Sequence, residues 1–271
     1  MTITPFTRYA SAALVGTALT MTAKAATTTY AYDDLFIGFH KAGVTSDYLV
    51  NIGQASNFTA MGPNTTATLD LGSIAADLVT AFGPGWATDP NVRWGVVGTS
   101  HTAIVGSDGQ DGNMTIYASH QGNAWDSTPW NSAFVLSNAD SKISSMASSY
   151  RNQLSTANSP VGLIQSNIAT SANNAYASYQ PGGVNTGVGN LSFGYFNPTI
   201  EAGSTNGITD ATGASLALFR LTEGNSNPAQ PEGTFSISNG GIVSYVSVPE
   251  PASATLGLLG AAIMIVRRRR I

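Results

Sequence analysis

Asp33-Asp34-Leu35-Phe36-Ile37-Gly38-Phe39 is the stretch from which the fold of this chain is read. In an extended segment its apolar side chains fall on both faces, which predicts a strand covered on two sides. Gly43 marks a turn, and residues 48–52 return as a second strand. Ala67, Leu69 and Leu71 alternate with Thr66, Thr68 and Asp70, the pattern of a strand with one wet face. Further strands are expected over 92–97, 114–118, 191–196, 215–221, 234–238 and 242–248. Asn239-Gly240 between the last two predicts a two-residue type I′ hairpin.

Helical spacing interrupts this pattern twice. Ser73 is placed to cap a short helix over 74–82, with Ile74, Leu78 and Phe82 on one stripe. From 138 to 154, Ile143, Met146, Ala147, Tyr150 and Leu154 form another stripe. A second helix is expected over 161–179, bracketed by Pro160 and Pro181. The fold expected is mainly β: an antiparallel β-sandwich-like domain, residues 26–248, with a helical insertion over about 138–179.

Both ends of the chain read differently. Arg8, the small apolar run that follows it and Ala23-Lys24-Ala25 fit a secretory signal helix over residues 1–25, cleaved after Ala25. At the other end stand Pro249-Glu250-Pro251, an uncharged apolar run over 252–266, and Arg267, Arg268, Arg269 and Arg270. The prolines hold the chain extended. The run is short for a transmembrane helix, but thinning and snorkelling accommodate a short span. The arginines favour the cytoplasmic side, which puts the domain outside the inner membrane.

This tripartite end resembles the PEP-CTERM sorting signal of Gram-negative bacteria. The resemblance implies export, a membrane-anchored precursor, and cleavage near the triplet by an exosortase, followed by delivery to the cell surface or extracellular matrix. Asp34-Leu35-Phe36-Ile37-Gly38-Phe39, Asp47-Tyr48-Leu49-Val50-Asn51-Ile52-Gly53, Trp94-Gly95-Val96-Val97-Gly98-Thr99 and Tyr117-Ala118-Ser119 resemble a group of PEP-CTERM proteins of unassigned function found in Verrucomicrobia. That likeness carries no catalytic residue across.

Between residues 26 and 248 five basic residues face fourteen acidic ones, a net charge of −9. Phosphate binding needs a basic face, so nucleic acid is excluded as a partner. Cysteine is absent, so no disulfide staples the exported domain. Asp108, Asp111 and Asn113 are spaced like oxygen ligands of a calcium loop, but the favoured reading is an Asp/Gly hairpin turn leading into the strand at Met114, and no metal or other cofactor is expected. His40, His101 and His120 show no metal spacing and read as surface residues near strand ends. Trp125 and Trp130 flank a polar loop and offer flat apolar faces to a sugar ring. Trp94 reads as core. The function expected is a non-enzymatic surface or matrix protein that meets the export machinery, an exosortase-like enzyme and the inner membrane. A glycan-binding module contacting extracellular polysaccharide, and a secreted hydrolase, are the alternatives.

Overall fold

The structure is a computed structural model, and it describes residues 20–23, 30, 31, 33–69, 71, 74–100, 115–122, 125, 133–153, 162–166, 168, 174–180, 193, 196, 200–203, 208, 214–222 and 229–248. Its strands are β1 (Thr20–Ala23), β2 (Asp34–Lys41), β3 (Asp47–Gln54), β4 (Thr66–Leu69), β5 (Val92–Ser100), β6 (Thr115–His120), β7 (Leu163–Gln165), β8 (Glu201–Ala202), β9 (Ser215–Thr222), β10 (Gln230–Ile237) and β11 (Val243–Ser247). They join in a single sheet, in the order β1-β4-β11-β10-β9-β6-β5-β2-β3-β7, with β8 paired to β5. Every pairing is antiparallel except β1 with β4. The mainly antiparallel expectation holds, but the two buried faces belong to one curled sheet and not to two stacked ones.

The curl is visible at Phe58, on α1 (Ser56–Thr59) directly after β3. Its ring lies 5.3 Å from Phe235 on β10 and 5.1 Å from Tyr245 on β11. Five strand spacings separate β3 from β10 in the sheet, about 24 Å if flat. Only a curled sheet brings both within reach of one side chain. The core on this face gathers Ile37, Phe39, Val50, Trp94, Leu218 and Phe235 among others, closed by Phe58, by Leu78 of α2 (Ile74–Phe82) and by Trp86. Burying Phe58 alone contributes about 1.5–3 kcal/mol.

The opposite face carries Phe36, Leu49, Val97, Ile116 and Phe219, covered by α3 (Ala133–Gln153) through Leu136, Ile143, Met146 and Tyr150. Thr99 Oγ1 donates to Asp140 Oδ1 at 2.5 Å and pins the helix to β5. Asp34 is buried beneath it and accepts hydrogen bonds from Asn51 Nδ2 at 2.7 Å and the Ala31 amide at 2.8 Å.

Several expectations change. α2 has the predicted bounds and ends at Gly83, whose φ of 93° suits a glycine after a helix. The capping position, Ser73, lies outside the described residues. The second helix of the insertion does not form over the described part of 161–179. Leu163–Gln165 is strand β7, edging onto β3, and Tyr176–Tyr179 is one turn of 3₁₀ helix. The abundant Ser and Asn there are poor helix formers, and Gly162 is needed small: a Cβ would sit 2.8 Å from the Leu49 carbonyl. Of the expected strand 191–196, Phe193 is a turn residue at φ 50° and Phe196 makes an isolated bridge. The last hairpin forms with a three-residue loop. The Gly241 amide donates to the Ser238 carbonyl, and Gly241, not Asn239 or Gly240, has positive φ, 72°. The described part of the N-terminal segment, Thr20–Ala23, is extended, not helical. Among the described residues no helix is long and apolar enough to cross a membrane. Residues 249–271, where the transmembrane helix is expected, lie outside them.

Candidate functional site

Polar chemistry concentrates where β2, β3 and β8 meet the 3₁₀ turn. Gly38 on β2 and Gly95 on β5 are direct cross-strand partners. Together they leave a slot, and the Tyr176 ring fills it: a Cβ on Gly38 would lie 2.3 Å from the ring, and one on Gly95 2.6 Å from the hydroxyl. A mid-strand glycine that admits another group this closely is not replaceable by alanine without movement.

The Tyr176 hydroxyl donates to Glu201 Oε1 at 2.8 Å, and His40 Nε2 lies 2.9 Å from Glu201 Oε2. One carboxylate therefore bridges a phenol and an imidazole, and all three side chains are buried. Across the β2–β3 ladder from His40 stands Asp47, wholly buried. Its Oδ2 accepts from the Ala177 amide at 3.0 Å. Asp47 Oδ1 and His40 Nδ1 have no hydrogen-bond partner among the described residues. Desolvation pushes the Asp47 carboxyl up to about 7, against the Ala177 amide and the nearby His40, which favour the ionised form. Burial and the adjacent Glu201 raise the Tyr176 phenol well above its ordinary range, so it stays a donor.

Glu201 reaches this place because the sheet splits. β6 pairs with β5 over residues 97–100, and β8 takes over beside Trp94 and Gly95. Ser119 stitches the fork: its Oγ accepts from the Val96 amide at 2.7 Å and donates to the Ile200 carbonyl at 2.6 Å. The whole arrangement is enclosed, and its chemistry is that of a polar lock tying four segments together. Among the described residues no three His, Asp or Glu side chains are set to hold a metal ion.

The sequence-derived candidates scatter. His40 and His120 are buried, not surface residues, because each sits on a strand covered on that face. Trp94 is core, fully buried and stacked on Phe39. Trp125 is half-buried and meets Phe219 at 5.5 Å, Phe196 at 5.9 Å and His120 at 5.1 Å, so its ring is packed into an aromatic cluster. Trp130, His101, Asp108, Asp111, Asn113, Ala25, the Pro249-Glu250-Pro251 triplet and Arg267 to Arg270 lie outside the described residues. Glu201 and Asp47 were missed. The available signal was the pair of mid-strand glycines, which announce that something packs against the backbone.

The exit of the domain is also built. Ser247 Oγ donates to the Gly62 carbonyl at 2.6 Å and accepts from the Thr65 amide at 3.0 Å. The Ser247 amide donates to the Thr65 carbonyl, and the Val248 amide to the Glu232 carbonyl. A groove of about 540 Å³ runs beside this end, lined by Ala217, Pro231, Thr234, Val246 and Val248 among others.

Residues 247–270 match the PEP-CTERM protein-sorting motif. A motif of that kind marks an exosortase-targeted exported protein with a membrane-anchored precursor. No curated protein and no solved structure matches the chain.

Proposed function

We propose that this chain, carrying an exosortase-directed sorting motif at its end, is a non-enzymatic protein of the cell surface or extracellular matrix. The observation that carries the reading is the junction: the motif starts at Ser247, the last residue of β11, which is hydrogen-bonded into the sheet. The folded domain is thus the cargo, held against the processing site without a linker. Its ionisable groups of unusual environment, Asp47, Glu201 and His40, are buried in a lock and unavailable to a substrate, which favours a structural over a catalytic role.

Intact-mass measurement of the surface fraction tests the route. The expected chain starts at Ala26 and ends near Pro249. Recovery of a chain ending at Ile271 from a host with an exosortase would overturn it. Turnover of an ester, glycoside or peptide panel by that purified material would overturn the non-enzymatic part.

A further inference from the structure

Among the described residues, one pairing of the sheet is parallel, that of β1 with β4. β1 lies on the outer side of β4, with Thr20 opposite Thr66 and Ala23 opposite Leu69. β1 is also the stretch immediately before the expected signal cleavage after Ala25. Removal of the signal segment strips the strand that covers the β4 edge.

The groups this exposes can be named. The Ser247 amide donates to the Thr65 carbonyl, and the β11–β4 register pairs Val246 with Thr66, Tyr245 with Ala67 and Ser244 with Thr68. Hydrogen bonding alternates along an antiparallel ladder. Thr65 and Ala67 therefore turn their backbone groups to β11, and Thr66 and Thr68 turn theirs outward. β4 has no proline, no lysine and no charge over Thr66–Leu69, none of the devices that blunt a free edge. The other end of the sheet is different: β7 has three residues, all buried, so it accepts no added strand.

We propose that cleavage of the signal segment unmasks β4 as a dimerisation edge, and that its occupant is β4 of a second copy of this chain. A second copy is favoured because the outward backbone groups of Thr66 and Thr68 lie symmetrically about Ala67, whereas β7 and β8, the other strands with one partner, are buried, and identical edges pair about a twofold axis. An antiparallel pair centred on Ala67 sets Thr66 opposite Thr68 of the partner subunit and forms four backbone hydrogen bonds. Val246 and Val248, both more than a third exposed beside this edge, add apolar contact. Signal-retaining chains are self-capped and stay apart.

The proposal rests on cleavage after Ala25, so the mature protein from the surface fraction is first defined by intact mass. Sedimentation velocity at about 1–100 μM then reads its oligomeric state, a range that brackets a micromolar Kd. The expected result is a monomer–dimer equilibrium, with the Thr66 and Thr68 amides slower to exchange as concentration rises. Thr68→Pro removes an outward donor without touching the β11 ladder. It should weaken the dimer at least tenfold and leave the melting temperature within a few degrees. Should Thr68→Pro not fold, concentration-dependent protection at Thr66 and Thr68 in the unaltered protein decides alone. A mature chain that stays monomeric, or a dimer that Thr68→Pro leaves intact, overturns the proposal. A mature chain retaining residues 20–23 overturns it at its premise and leaves the sorting reading untouched.

Discussion

His40 Nε2 and Glu201 Oε2 are 161 positions apart in sequence and 2.9 Å apart in space, with both side chains closed to solvent. Removing the shared carboxylate leaves the Tyr176 hydroxyl and the His40 ring nitrogen buried without their hydrogen-bond partner, at about 1–3 kcal/mol each. Glu201→Ala should therefore lower the denaturation midpoint strongly, and Glu201→Gln less, because an amide oxygen and nitrogen retain part of the bridge between Tyr176 and His40. Equilibrium denaturation of the two variants checks the order.

Asp47 makes stability depend on pH in the direction opposite to an ordinary ion-paired carboxylate. Its folded value is about 7 against a reference of 3.8. Between those values the native chain holds a proton that the unfolded chain has lost, so stability falls as pH rises through this window and levels off above 7. Three units correspond to about 4 kcal/mol at most, reduced by relaxation around the charge. Asp47→Asn should flatten the profile: little change at pH 4, and a higher melting temperature at pH 8. Thermal melts across pH 4–9 test this, and a wild-type profile rising from pH 4 to 7 with no gain at pH 8 in Asp47→Asn refutes it.

Gly38→Ala should be among the most damaging single-methyl changes in the molecule. The added carbon meets the Tyr176 ring at 2.3 Å, far inside contact distance, and moving that ring pulls its hydroxyl from Glu201. Overpacking of this kind costs about 1–3 kcal/mol, and the displaced hydrogen bond adds to it. Gly38→Ala combined with Tyr176→Ala should recover part of the loss, a coupling that chemical denaturation of the double-mutant cycle measures directly.

How far the sequence led depends on the range of the contacts. The stretch from Asp34 to Phe39 reads as a doubly covered strand because burial on both faces leaves no polar alternation, and the structure buries all of it. α2 and the first insertion helix were legible because a 3.6-residue stripe is local. The segment around Leu163 and Tyr176 was not: Ile164, Ile168 and Ala175 mimic a helical spacing, but Ile164 lies in a strand paired with β3, while Ile168 and Ala175 gather with Ala177 in a small cluster of their own, contacts fixed only by tertiary packing. Glu201 was invisible for the same reason, since nothing near it in sequence requires a buried acid. Gly241 was a nearer miss, one residue past the turn that was read.

Trp125→Ala should act on stability and not on recognition. The ring touches Phe196, Phe219 and His120, and truncating a half-buried indole in such a cluster costs about 2–4 kcal/mol. A melting temperature lowered by several degrees, with retention on a polysaccharide column unchanged from wild type, is the expected pair of results. Loss of retention at an unchanged melting temperature would restore the glycan-contact reading of this tryptophan.

Ser247→Ala should loosen the domain exit and speed processing. The serine hydroxyl holds the Gly62 carbonyl and the Thr65 amide at once, so alanine leaves these two groups only the long, 3.3 Å turn hydrogen bond between them. A net loss of about 1–2 kcal/mol is expected. It should appear as local opening, since β11 keeps its ladder to β10 from Val243 to Val246. Amide exchange at Thr65 and Val248 should accelerate roughly tenfold, the factor that 1.4 kcal/mol corresponds to, while exchange in β2 and β5 is unmoved. A membrane-embedded enzyme must take hold of the chain at Pro249, one residue past Val248 and its hydrogen bond to the Glu232 carbonyl. Fraying of that end lengthens the segment free to enter its cleft. In a pulse-chase the Ser247→Ala precursor should therefore lose its C-terminal segment faster than wild type. An unchanged precursor half-life, with the faster Thr65 exchange present, would show that the tight junction does not limit processing.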